Sequence, residues 1–229
     1  VAMVALRDKR EELRGLRIAL EQEEIPGLTG RTKDEAKARI SDLEAQRKEI
    51  GAERTAARLK STTDELEAAK LDPARKVELP NLEKDLATQQ RQHNDAEGIA
   101  LKARLDAEQL QVALAKTTAE TTAAQRRVDD LKSQLKVNEK EGTHFKAVDE
   151  VAARQVEVET ANADRSGSKS DQTARRRLAE DNLNAAQRKE IDARQAHLEA
   201  QRDAQQVKLA NAKADVDVLA QAKAQAELD

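Results

Sequence analysis

The residues of this chain best suited to chemistry are three histidines, His93, His144 and His197, and a group of cations around a serine-rich stretch. A metal site needs several His, Cys or carboxylate ligands converging on one point. The histidines lie far apart in sequence, and none is read as having a carboxylate or second histidine at i+3 or i+4 arranged as a metal face, so no metal site is expected. His93 falls on the apolar seam of a helical pattern and is read as a polar residue that sets register. Carboxylates are too numerous, 44 Asp plus Glu among 229 residues, for any one pair to stand out as an acid and base. Acid–base catalysis also needs a partly dry cleft to shift their pKa values. There is no cysteine, which removes thiolate chemistry and disulfides, and no glycine-rich phosphate loop or nucleophile elbow is present. The expectation is a chain that is not an enzyme, with no cofactor, metal or small-molecule substrate.

The cations are Arg175, Arg176 and Arg177, close after Arg165 and Lys169 in the stretch NADRSGSKSDQT, residues 162–173. They are the candidate partner-binding residues: an acidic partner or a phosphate would suit them, and Ser166 or Ser168 could be modified. Charge on a solvated helix face explains the same residues equally well. A nucleic-acid groove is not expected, because 41 Lys plus Arg nearly cancel the acids, for a formal charge of −3 with both signs interleaved. No apolar run approaches the roughly 18 residues that span a bilayer. The apolar faces lack the Trp and Phe of interfacial helices, and the opening VAMVAL is too short for a signal-peptide core. These features predict a soluble chain without direct membrane insertion. The start at Val1 suggests a processed chain or a piece of a longer one, and nothing assigns a compartment.

The elements that must position these residues are helices. The chain is 37% charged, rich in alanine, and holds one Phe and no Trp or Tyr, too little for a conventional globular core. Its near-zero net charge argues against disorder. Apolar periodicity predicts helices over about 1–24, 33–71, 80–161 and 172–228, joined by connections over about 25–32, 72–79 and 162–171. The first carries Leu6, Leu13 and Leu20 every seven residues, with Leu16 between them. It ends at IPGLTG, after which Thr32 and Glu35 have the spacing of a capping box. The third is the longest, its heptad seam mixing aliphatics, alanines and polar residues and continuing through Gly142. Ile99, Leu101, Leu105 and Val112 lie off that seam, which predicts a second packing partner around residues 99–114. Folding back at residues 162–173 brings the end of the last helix to this place, opposite the second helix. The seam of that last helix is read as Leu183, Ile191, Leu198, Leu209, Ala212, Val216 and Leu219.

The expected fold is therefore all-α: a single elongated antiparallel coiled-coil bundle, residues 1–229, of about four helices around a long central one. The function expected of it is that of a structural spacer, scaffold or assembly module, working through protein partners or self-association along its coiled-coil faces. Two alternatives stand beside it. One is a helical hairpin that engages a receptor or partner through the loop near residues 162–173. The other is an extended parallel oligomer in a filament, secretion machine or virion.

Overall fold

The computed structural model describes the backbone of residues 2–226 and the side chains of residues 9–216. It is an all-α bundle of five helices: α1 (Ala2–Glu24), α2 (Gly30–Leu71), α3 (Leu79–Leu114), α4 (Thr118–Ala163) and α5 (Lys169–Ala226). Short 3₁₀ turns, Ile25–Gly27 and Pro73–Glu78, join α1 to α2 and α2 to α3. In the second, Asp72 accepts the Ala74 amide at 2.9 Å, and Pro73 supplies the fixed φ of a helical start. The side chains of Leu6 and Leu219, and an end of the last helix at residue 228, lie outside the described residues.

The expected third helix over residues 80–161 is corrected to two. The backbone leaves the helix at Ala115, where ψ is 137°, and resumes at Thr118. Thr117 and Glu120 make the break stable. Glu120 Oε2 accepts the Lys116 and Thr117 amides at 2.7 and 3.2 Å, while Thr117 Oγ1 accepts the Glu120 amide at 3.1 Å. This capping box satisfies amides that a helix start leaves open. The box expected at Thr32 and Glu35 is also corrected: α2 already begins at Gly30, whose φ of 55° suits glycine. Thr32 instead donates to the Thr29 carbonyl at 2.7 Å. Past the new break, α4 runs through Gly142 without interruption.

Packing divides the chain into two compact units, Val1–Leu135 with Gln206–Asp229, and Lys136–Gln205. In the first, α1 runs antiparallel to α2, with Glu21 paired to Arg39 at 3.1 Å and Glu11 to Arg54 at 2.8 Å. Ile18, Ile40 and Leu43 form the apolar contact between them, with Ile25 against it. Helix α2 is antiparallel to α3, with Thr55 against His93 at 3.1 Å and Asp42 against Arg104. The opening turns of α4 then return along α3, with Arg127 on Glu108 at 2.8 Å. Residues 206–216 of α5 lie on the other side of those turns, where Arg126 meets Asp215 at 2.6 Å. In the second unit, α4 and α5 form an antiparallel hairpin registered by Lys136–Asp203, His144–Glu190 and Lys189–Glu150 at 3.0, 3.0 and 2.9 Å.

The seams are filled mainly by alanine. Ala38 and Ala45 of α2, Ala100 and Ala107 of α3, Ala124 of α4 and Ala186, Ala200 and Ala204 of α5 are all buried. Small side chains let helix backbones approach closely, but each buries little apolar area, so polar pairs must select the register. Of the aliphatics expected to form the seam of the last helix, Leu183 is half-buried, but Ile191, Leu198, Leu209 and Val216 face outward and are each more than half exposed. The same holds for Leu13, Leu16 and Leu20 of α1.

Candidate functional site

The basic cluster predicted from sequence lies where α4 turns into α5, in the second unit. Its geometry comes from two aspartates and two serines. The Ser166 amide and hydroxyl donate to Asp164 Oδ1 at 2.8 and 2.7 Å. Gly167 takes a φ of 79°, which an L side chain rarely adopts, and turns the chain into α5. Ser168 caps that helix: its Oγ accepts the Asp171 amide at 3.2 Å and donates to Asp171 Oδ2 at 2.7 Å. Both carboxyls are held below the ordinary aspartate value. For Asp164 the main cause is the Ser166 hydroxyl, then the Ser166 amide; for Asp171 it is the Ser168 hydroxyl, then its amide, with Arg175 adding to both.

Two of the five cations are consumed by this turn. Arg175 pairs with Asp164 at 3.1 Å and donates to the Ser166 carbonyl; Arg176 donates to the Asn162 carbonyl at 3.3 Å. Arg165, Lys169 and Arg177 are exposed and make no ion pair among the described residues. The site is thus a hydrogen-bonded tip that presents three cations. Ser166 and Ser168 have their hydroxyls engaged in holding the turn.

A second constellation, in the first unit, escaped the sequence reading. Glu108 is buried, only 6% exposed, and receives Arg104 at 3.3 Å and Arg127 at 2.8 Å. Arg104 also pairs with Asp42, whose second oxygen accepts from Gln46 Nε2 at 2.7 Å. Three helices therefore meet at Glu108, as the two-faced pattern of residues 99–114 predicts. The opening of α4 is a partner that the expected arrangement lacked, and the last helix also comes here as expected, with Lys208, Ala212 and Asp215 lining a groove beside Arg104 and Glu108. Leu101, Leu105 and Val112 are half-buried, whereas Ile99 is 53% exposed and belongs to the outer face. Open grooves flank the cluster, one between Arg31, Lys116 and Arg127, the other between Arg126, Lys208 and Asp215. Glu108 and Arg127 lie 19 residues apart and meet only because of the turn at residues 115–117. The local signal for that turn is the capping-box spacing of Thr117 and Glu120, which also occurs at places where no helix begins, such as Thr62 and Glu65 within α2.

The histidines stand apart. His93 bridges α3 to Thr55 of α2, in keeping with a register role, and Glu97 is one turn on at 4.0 Å, a neighbour the sequence reading passed over. His144 pairs with Glu190 across the second unit, and His197 meets Gln201 at 2.8 Å. No group of three or more His, Cys, Asp or Glu that could hold a metal occurs among the described residues. None of the described helices is long and apolar enough to cross a membrane. No family model, curated protein or solved structure matches the chain.

Proposed function

We propose that the protein is a non-enzymatic helical assembly module whose outward aliphatic rows receive partner helices. One observation carries this reading: large aliphatics stand outside while alanines fill the inside. In the second unit Leu178, Ile191 and Leu198 are 63%, 60% and 55% exposed beside buried Ala179, Ala186 and Ala200. Single exposed aliphatics are ordinary on a protein surface. Ile191 and Leu198 are seven residues apart on a continuous helix, the spacing of a coiled-coil contact row. Cross-helix ion pairs such as Glu21–Arg39, Glu108–Arg127 and His144–Glu190 link neighbouring helices, which fits a mechanical role.

The test is the Ile191→Glu/Leu198→Glu double variant, made in the cells that produce the protein. Because both side chains are exposed, its thermal melt should match that of the unchanged chain, while the protein elutes from extracts in a smaller complex. Elution of the unchanged protein at the mass of one chain, with no complex to lose, refutes the reading. A second reading, a hairpin that binds through its tip, is favoured by the three uncommitted cations Arg165, Lys169 and Arg177. It replaces the first if Lys169→Glu/Arg177→Glu disrupts the complex and the double glutamate variant does not.

A further inference from the structure

The outer face of α1 is the most regular unpartnered surface of the first unit. Leu13, Leu16 and Leu20 are 65%, 58% and 62% exposed, while Ile18 of the same helix is 8% exposed against α2. At 100° per residue the three leucines centre roughly 150° around the helix from the face that packs on α2. They stand on the far side, where a further helix fits without disturbing the bundle. Leu13 and Leu20 hold equivalent heptad places and Leu16 the intermediate one, so the row forms knobs for one partner helix.

We propose that this face pairs with α1 of a second copy of the chain, the two helices running parallel. This rests on the assembly reading above and names the occupant of one face. The charges flanking the leucines select both the partner and its direction. With Leu13 and Leu20 at position a, Glu12 is at g and Arg10 and Arg17 are at e. In a parallel pair, a g residue faces the e residue five places on in the partner helix, so Glu12 meets the partner's Arg17, twice by symmetry. In an antiparallel self-pair, e faces e, which sets Arg10 and Arg17 against like charges. Both pairing residues are accessible: Glu12 is exposed, and Arg17 is 68% exposed, with only a loose 3.7 Å contact to Glu21.

The same spacing bounds the strength of the contact. Lys9 and Glu23 occupy the d positions on either side of Leu16, and each faces its own like charge across a parallel pair. The contact is therefore confined to Leu13–Leu20. A contact of little more than one heptad would not form a coiled coil from free peptides, but here α1 is already helical on α2, so association does not bear the cost of ordering it. A weak, concentration-dependent dimer is expected.

The absence of cysteine from the chain makes a clean test available. Sedimentation of the purified full chain from about 1 to 200 µM should show reversible dimerisation, and Leu13→Glu/Leu20→Glu should abolish it without changing the helical signal. Glu12→Arg should weaken the dimer roughly threefold to tenfold, and adding Arg17→Glu should restore it. Single variants Leu13→Cys and Leu20→Cys should each oxidise to a disulfide-linked dimer, since parallel strands place both positions opposite themselves. A monomer throughout the range overturns the proposal, as does a dimer indifferent to Leu13→Glu/Leu20→Glu. Failure of either cysteine to link overturns the parallel direction and with it the proposal. A monomeric purified chain, together with complexes in cells that depend on Ile191 and Leu198, would sink this inference and leave the assembly reading standing.

Discussion

At the scale of single residues, the carboxylates do the most defined work, and they do it at turns. Glu120, Asp164 and Asp171 each accept hydrogen bonds from groups two to four residues away. For Glu120 the Lys116 amide is the main cause of a lowered pKa, followed by the Thr117 amide. A folded-state value below the unfolded one means that the native state holds fewer protons there. The stabilisation is complete above the unfolded values, near pH 4–4.5, and is lost as pH falls through the folded ones. Acid should therefore loosen the two loops at residues 115–117 and 164–168. Carboxyl-carbon NMR titration should show these three side chains protonating at lower pH than the ordinary carboxylates of the chain. Titration at or above the ordinary value would mean that the caps do not form.

At the scale of elements, the break between α3 and α4 shapes the first unit, because a straight helix would carry Arg127 away from Glu108. The expected consequence is protease sensitivity at a place a continuous helix protects. Lys116 is exposed and outside any helix, as are Arg165 and Ser166. Brief tryptic digestion should cut at Lys116 about as early as at Arg165 or Lys169, and before any site within residues 126–154. Early cleavage at Arg165 with lasting protection of Lys116 would restore the continuous helix.

At the scale of the whole molecule, stability comes from many weak contacts rather than from one core or one bound group. The largest buried side chains are a few leucines and isoleucines, and the register rests on cross-helix polar pairs. Since no described cluster suits a metal, a strong chelator should leave the helical circular dichroism and the melting temperature unchanged. A clear loss of helicity on chelation would reveal a metal-dependent fold.

Composition and periodicity were enough to determine that the chain is helical, that it turns near residues 25–30, 72–79 and 162–171, and that residues 99–114 face more than one partner. Those features depend on interactions within a few residues, or on the width of an apolar face. Which capping motifs are used was not legible, because the same spacing occurs at Thr32–Glu35, Thr62–Glu65, Thr117–Glu120 and Ser168–Asp171. Only the last two begin a helix; within α2, Thr62 and Thr63 turn their hydroxyls back to the carbonyls of Arg58 and Leu59. A cap contributes only about 1 kcal/mol, so the packing available on either side decides whether the chain breaks there. Facing was decided in the same way. Leucines at heptad spacing look like the inside of a bundle, yet α1 and α5 turn Leu13, Leu16, Leu20, Ile191 and Leu198 outward and bury Ile18, Ala186 and Ala200 instead, because the face that packs is chosen by contacts with helices distant in sequence, which periodicity alone does not carry.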